Sequence, residues 1–359
     1  MENDKRIIFV LPNLNEGGAQ KVTTSIINYI NKSTIYTIRL LIVNRGGIFQ
    51  DLNPKIDVKF LNCKKTKNGI FLLLFEIYRF KPDYIFSTLN YLNILILMLK
   101  PLLPRGLKII IREAGIVSNY LRDIKSPWFW RILYRLYYPH ADAIVCQSHY
   151  MKNDLLKHIK IDKKKVFQIY NPIDVQNIKD KIRNQKNPFS DFKNKINIVS
   201  CGRLEKAKNY DLLINCFLDI YKRNKETHLW ILGEGKQREE LQSLAKKMEL
   251  SENVHLIGHQ SNPYIWYANA DLFIFTSLHE GFPNVVLEAI ACECPVVSLE
   301  HPGGTKEIFE KLNITSRWVK QISWDKSWFD LMNPFVIEEL NSFFGINKII
   351  KKYQILFQK

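Results

Sequence analysis

Glu280 and Glu288 are two carboxylates eight positions apart, in the segment Glu280-Gly-Phe-Pro-Asn-Val-Val-Leu-Glu288. The glycine and proline between them mark a loop, and the residues from Asn284 to Cys292 have helical composition. Pro283 suits a first helical turn, where its missing N–H leaves no bond unmade, so a helix is expected to start there and end before Pro295. Unpaired amides and the positive end of the helix dipole would make an anion site, and the carboxylates beside it could accept hydrogen bonds from hydroxyls. A second pair of charges, Arg203 and Lys208, flanks another loop, where a planar fork and a point charge could converge on a diphosphate.

These loops need strands to hold them. Leu272 to Thr276 is a short apolar, aromatic run that reads as a buried strand directly before Glu280, and Ile196 to Ser200 is a strand directly before Gly202 and Arg203. Leu229 to Leu232 leads into Gly233-Glu-Gly235, and Val254 to Ile257 into Gly258. In the first half, Arg6 to Leu11 runs into the turn-rich loop from Pro12 to Gly17-Gly18. An amphipathic helix from Ala19 to Ile30 follows, and glycine there lets backbone amides approach an anion closely. Further strands recur at Ile35 to Asn44, Val58 to Leu61, Tyr84 to Ser87, Lys108 to Arg112, Ala143 to Gln147 and Lys165 to Ile169. Strands alternating with helices at this spacing predict an α/β fold with parallel sheets covered on both faces. Asn90, Arg112 and Glu113 end strands of the first half, where ligands of such sheets bind, and are candidates for contact with a second substrate.

The Glu280 to Glu288 spacing, with His279, Gly281, Phe282, Pro283, the Leu287-Glu288-Ala289 step and Pro295-Val296-Val297, resembles the E-x7-E signature of retaining family 4 glycosyltransferases. Tyr170-Asn-Pro-Ile-Asp174 and His301-Pro-Gly303-Gly304-Thr-Lys-Glu307 also match segments of that family. The resemblance implies the GT-B fold, two Rossmann-like domains facing across a cleft. Here that means an acceptor-side domain over 1–178, a linker over 179–195, a donor-nucleotide domain over 196–340 and a C-terminal helix over 341–359 packing back toward the first domain.

By the same resemblance Glu280 would contact the donor sugar, with Arg203 and Lys208 on its diphosphate and Glu288 on the ribose. Gly17, Gly18, Gly202, Gly233, Gly235, Gly281, Phe282, Pro283 and Asn284 would complete the donor site. The donor would be a nucleoside-diphosphate sugar, UDP-linked or GDP-linked. The match ends near Glu307: Lys311 to Pro334 lacks glycine and carries Trp318, Trp324 and Trp328, so this segment is expected to be shortened or rebuilt.

Departure of a nucleoside diphosphate requires its charge to be neutralised. No D-x-D pair occurs to hold a divalent cation, so the expectation is preorganised neutralisation by side chains, amides and a helix end, with no metal and no cofactor. A nucleotide-sugar epimerase on the same fold, or a non-catalytic basic protein at a membrane surface, are the alternatives.

At 359 residues, 46% hydrophobic and 24% charged, the chain has the length of about two globular domains. The net charge of +17 is uneven: residues 1–180 hold 28 Lys and Arg against 14 Asp and Glu, an excess of +14. Such a half suits an anionic membrane surface or a lipid-linked diphosphate, whereas no nucleic-acid-binding module is recognisable. Trp128 to Tyr138 mixes aromatics with Arg131 and Arg135 on one helical face, the composition of an interfacial helix. Apolar runs such as Ile94 to Leu99 fall far below the ~20 residues of a spanning helix. The charged start is unlike a signal peptide, and six cysteines without paired spacing suit a reducing compartment. A cytoplasmic enzyme, peripheral on the inner face of the membrane and acting on a lipid-linked saccharide, is expected.

Overall fold

The computed structural model describes residues 5–14, 17–44, 51–63, 69–323, 325–330 and 335–358. Apolar runs such as Ile7 to Leu11 and Leu40 to Val43 are buried on both faces, as strands of a parallel sheet covered by helices must be. The chain divides into two compact units, one of residues 1–172 with 346–359 and one of residues 173–345.

The first unit is a seven-stranded sheet. In chain order its elements are β1 (Lys5–Leu11), α1 (Gly18–Ile30), β2 (Tyr36–Asn44), β3 (Asp57–Cys63), α2 (Ile70–Phe80), β4 (Tyr84–Thr88), α3 (Asn90–Met98), β5 (Lys108–Arg112), α4 (Val117–Asp123), α5 (Pro127–Tyr137), β6 (Ala143–Cys146), α6 (His149–His158) and β7 (Val166–Gln168). The strand order is β3-β2-β1-β4-β5-β6-β7, and every neighbouring pair is parallel. One face carries Ile8, Val10, Leu41, Ile85 and Ile109 against α2, α3, α5 and α6.

The second unit contains α7 (Val175–Ile182), β8 (Ile196–Cys201), α8 (Tyr210–Arg223), β9 (Thr227–Leu232), α9 (Arg238–Lys247), β10 (Val254–Gly258), α10 (Tyr264–Tyr267), β11 (Leu272–Phe275), α11 (Asn284–Ala291), β12 (Val296–Leu299), α12 (Thr305–Lys311), β13 (Trp318–Val319) and α13 (Phe335–Phe344). Its sheet has the order β10-β9-β8-β11-β12-β13, again all parallel. The last helix, α14 (Ile346–Leu356), belongs to the first unit. It lies with α1 on the opposite face of that sheet, where Tyr353 and Phe357 meet the rings of Phe86, Phe9 and Tyr84. Both sheets therefore reverse strand order beside their first strand, as doubly wound nucleotide-binding sheets do.

Several expectations change in detail. Residues 179–195, read as a linker from their polarity, begin inside α7 and are folded into the second unit. Phe189 is buried there against Trp230 and Trp266, and Lys179 pairs with Glu293 at 3.5 Å, so two aromatics outweigh the polar residues around them. The C-terminal segment 341–359 is not one helix: Gly345 separates α13 from α14, and the two helices belong to different units. The tryptophan-rich segment after Lys311 supplies the edge strand β13, which pairs with β12 through Ser298 and Trp318. Trp324 and residues 331–334 of that segment lie outside the described residues, as do Asn15 and Glu16 of the first glycine loop.

Candidate functional site

In the second unit the point of strand reversal lies between β8 and β11, and the loops leaving the carboxyl ends of these strands carry Lys208 and Glu280. The Lys208 ammonium donates a hydrogen bond to Glu280 Oε1 in a half-buried ion pair, while the Phe275 ring lies 5.6 Å from the ammonium. The two loops are clasped through backbone as well: Leu278 N donates to the Ala207 carbonyl at 2.9 Å, and Thr276 Oγ1 to the Lys208 carbonyl at 3.0 Å. Burial pushes the Glu280 carboxyl up, but the charge and hydrogen bond of Lys208, with His301 and His279 nearby, outweigh it and hold the group below its ordinary range. Glu280 is thus a carboxylate in a low-dielectric setting, and its partner keeps two further N–H donors for an incoming anion.

Glu280 is fixed from behind by the loop after β12. Its amide donates to the Pro302 carbonyl at 3.2 Å, and its own carbonyl accepts from Gly304 N at 3.1 Å. Gly303 has φ +137°, and a Cβ there would lie 1.7 Å from the Glu280 carbonyl oxygen, so only glycine lets the two backbones approach. His301, also buried, donates through Nδ1 to the Leu299 carbonyl and shares a hydrogen bond at Nε2 with Thr305 Oγ1, each at 2.8 Å. Burial lowers its pKa, against the raising effects of the Leu299 carbonyl and Glu280.

The remaining glycines have a different reason. Gly233 has φ +139°, and a Cβ there would stand 2.0 Å from the Gly202 carbonyl; one on Gly235 would stand 2.4 Å from that of Leu204. The loops after β8 and β9 are therefore packed backbone against backbone, tied by Leu204 N to the Glu234 carbonyl and Gln237 N to the Leu204 carbonyl. Gly233 and Gly235, read from the sequence as part of a donor site, are thus required by this backbone packing as well. Gly202 itself sits beside Lys208 and the Tyr210 hydroxyl.

Phe282 is buried against Phe344, and Pro283 is the N-cap of α11 rather than its first helical residue, with extended backbone that brings Asn284 to the helix start. Glu288, one turn into α11, is buried rather than on a solvated face. Arg203 is not drawn into the Lys208–Glu280 pair: its side chain is 76% exposed and bonds Glu205 Oε1 at 3.0 Å.

In the first unit Gly17 is the N-cap of α1 and Gly18 its first residue, after β1 at that sheet's reversal point. Of the three candidates read as strand ends, only Arg112 ends a strand, β5; Asn90 opens α3 and Glu113 follows β5, and all three are buried. Arg112 Nη2 donates to Asn171 Oδ1 at 2.6 Å, Asn171 Nδ2 to Gln147 Oε1 at 2.9 Å, and Gln147 Nε2 to the Glu113 carbonyl at 2.6 Å. The Tyr138 hydroxyl donates to Glu113 Oε1, and the Asn90 amide bonds the Tyr134 hydroxyl. Burial, opposed by Tyr138, Asn93 and Arg112, raises the Glu113 pKa to about 7. Glu113 Oε2 and Arg112 Nε are buried without a hydrogen-bond partner, so this network retains polar capacity. Just before it, Leu89 turns from β4 into α3 with φ +79°, a conformation that costs roughly 1–3 kcal/mol for a side-chain-bearing residue.

Sequence reasoning missed Thr276, Gln147, Tyr134 and the strained Leu89. Nothing in their types or spacing marks them, since their roles arise from pairing between distant strand ends. Among the described residues there is no cluster of three or more His, Cys, Asp or Glu able to hold a metal ion.

Two parallel sheets of this strand order, each with polar groups gathered where the order reverses, are the architecture of the GT-B glycosyltransferases. The same fold is seen in Anabaena HepE, crystallised with UDP and glucose, which superposes with a TM-score of 0.77 at 15% identity over 99% of both chains. Family models match in both halves, "Glycosyltransferase Family 4" over residues 17–177 and "Glycosyl transferases group 1" over 181–328. Over 308 residues, 82% of this chain and 81% of the relative, the sequence is 32% identical to a Campylobacter jejuni enzyme. That relative is N-acetylgalactosamine-N,N'-diacetylbacillosaminyl-diphospho-undecaprenol 4-alpha-N-acetylgalactosaminyltransferase. A second C. jejuni α-1,4-N-acetyl-D-galactosaminyltransferase, named for a longer saccharide on PP-undecaprenol, is 25% identical over 85% of this chain and 82% of its own. The chain belongs to the group 1 glycosyl transferases and is a glycosyltransferase.

Proposed function

We propose that the protein is a retaining, metal-independent hexosyltransferase that moves a sugar from a UDP-sugar to a saccharide carried on a lipid diphosphate, in the synthesis of a surface polysaccharide or glycan. The observation that carries this reading is the Lys208–Glu280 pair at the strand-reversal point of the second unit. A donor diphosphate would take the two remaining N–H donors of Lys208 and the exposed guanidinium of Arg203. Glu280, kept ionised by Lys208, would accept hydrogen bonds from sugar hydroxyls, and Glu288 on α11 from the ribose.

As the glycosidic bond to the donor breaks, negative charge grows on the leaving diphosphate and positive charge on the sugar ring. Lys208, Arg203 and the amides at the start of α11 would stabilise the first, and the Glu280 carboxylate the second. The leaving phosphate oxygen would take the acceptor hydroxyl proton on the same face, so that configuration is retained. The α-linkages and the diphospho-undecaprenol acceptors in the names of the two Campylobacter relatives support the stereochemistry and the acceptor class. The UDP held by HepE supports the nucleotide.

No helix among the described residues is long and apolar enough to cross a membrane. Access to a lipid-borne acceptor would come through reversible docking of α5, a cytoplasmic enzyme resting on the inner face of the membrane.

The test is incubation of purified protein with UDP-N-acetylhexosamines and a diphospho-undecaprenol disaccharide, with and without EDTA, followed by NMR of the product anomer. UDP release with an α-linked product in both conditions is expected. Loss of turnover in EDTA that Mg²⁺ restores would remove the metal-independent mechanism, and interconversion of the donor sugar without acceptor would assign an epimerase instead.

A further inference from the structure

The helical layer over one face of the first unit's sheet has an outer surface unlike that of a solvated domain. On α2, Phe71, Leu72, Phe75 and Tyr78 fall at i, i+1, i+4 and i+7 and all point outward, opposite the buried Leu73, Ile77 and Phe80; Phe71 is 85% exposed. On α5, Trp128, Phe129, Ile132 and Leu136 share one arc with Arg131 and Arg135, opposite the buried Tyr134; Trp128 is 68% exposed. Between the two helices, α3 packs against α5, and the exposed Met98 and Leu102 continue the surface. The Tyr78 hydroxyl joins α2 to the turn after α3 through the Leu102 carbonyl at 2.8 Å. Large apolar side chains grouped in this way mark an interaction surface.

Charge selects the occupant. The helices α2, α3 and α5 and the turn Lys100–Leu102 contain a single carboxylate, Glu76, which is already bonded to Arg39 at 2.8 Å. Arg79, Arg105, Lys125, Arg131 and Arg135 are exposed around the apolar residues. Aromatic and aliphatic side chains set among basic ones, with no free acid, match the boundary between anionic headgroups and acyl chains.

We infer that α2 and α5 together form a two-helix docking face for an anionic lipid surface, with the α2 aromatics as the apolar anchor and the α5 arginines as the headgroup contact. This deepens the membrane-docking reading above, which rests on α5 alone, and adds the part that a single helix lacks. One short amphipathic segment gives weak, reversible binding, whereas two on one rigid sheet add their apolar areas without a second loss of orientational freedom.

The experiment is co-sedimentation of the full chain with phosphatidylcholine vesicles containing or lacking phosphatidylglycerol, at low and high salt. Wild type is compared with Phe71→Ser/Phe75→Ser and with Arg131→Glu/Arg135→Glu, and UDP-induced thermal shifts confirm that each variant retains its fold and donor site. Wild type should sediment with the phosphatidylglycerol vesicles. The α2 variant should lose about a hundredfold in partitioning, because each of the two phenylalanines seated in the interface is worth about tenfold. The α5 variant should lose its preference for phosphatidylglycerol. An α2 variant that partitions like wild type overturns the two-helix face while leaving docking through α5 intact. Wild type that stays in the supernatant overturns both. A lipid-free dimer that the α2 variant turns into a monomer, with no vesicle binding by wild type, assigns the face to a second copy of the chain and also overturns the inference.

Discussion

The ammonium of Lys208 donates to the carboxylate of Glu280 across 72 positions of sequence, and the same two loops are bonded again through Thr276 and Leu278. The pair sets the charge state of Glu280: without Lys208, burial would push that carboxyl up instead of leaving it below its ordinary range.

Lys208→Ala should therefore move the acidic limb of the kcat/KM profile to higher pH, as Glu280 protonates more readily, and weaken UDP binding by roughly 1.5–3 kcal/mol. Titration calorimetry and a pH–rate series check both. An unmoved acidic limb together with unchanged UDP affinity would show that the pair serves neither charge state nor phosphate.

Glu280→Gln and Glu288→Gln should differ in kind, the first lowering kcat far more than donor affinity, the second mainly raising the KM for donor. Steady-state kinetics on the two variants decide this, and identical losses would argue against separate contacts with sugar and ribose.

Gly303→Ala should displace Glu280, since its Cβ would overlap the Glu280 carbonyl and φ +137° disfavours any side chain. A loss of at least ~1–3 kcal/mol in stability is expected with reduced turnover. Thermal denaturation and assay of the soluble fraction check it, and wild-type values in both would mean that the loop after β12 moves freely away from Glu280.

The Glu113 carboxyl, raised by burial to about 7, is protonated in the folded protein over a range where the unfolded chain is ionised. Its contribution is thus fullest below the unfolded carboxylate pKa and is lost as pH rises through 7. The melting temperature of wild type relative to Glu113→Gln should fall between about pH 5 and about pH 8. A constant difference would mean that Glu113 is already ionised at the lower pH.

The sequence alone determined the alternation of strands and helices, because a buried parallel strand must be a continuous apolar run, and such runs as Phe9 to Leu11 or Leu272 to Phe275 have few other uses in a soluble domain. It also determined the family, since Glu280, Gly281, Pro283 and Glu288 lie within nine residues and their spacing survives in the chain itself. Tertiary structure decided what depends on distant segments. Only strand order brings Lys208 to Glu280 and Gly303 to its carbonyl, and only the approach of two loops gives Gly233 and Gly235 their packing role. Burial of Phe189 against Trp230 and Trp266 turned a polar linker into part of a domain. The outward arc of α2 was hidden for the same reason: its six leading apolar residues read alike in sequence, and the sheet beneath decides which of them face water.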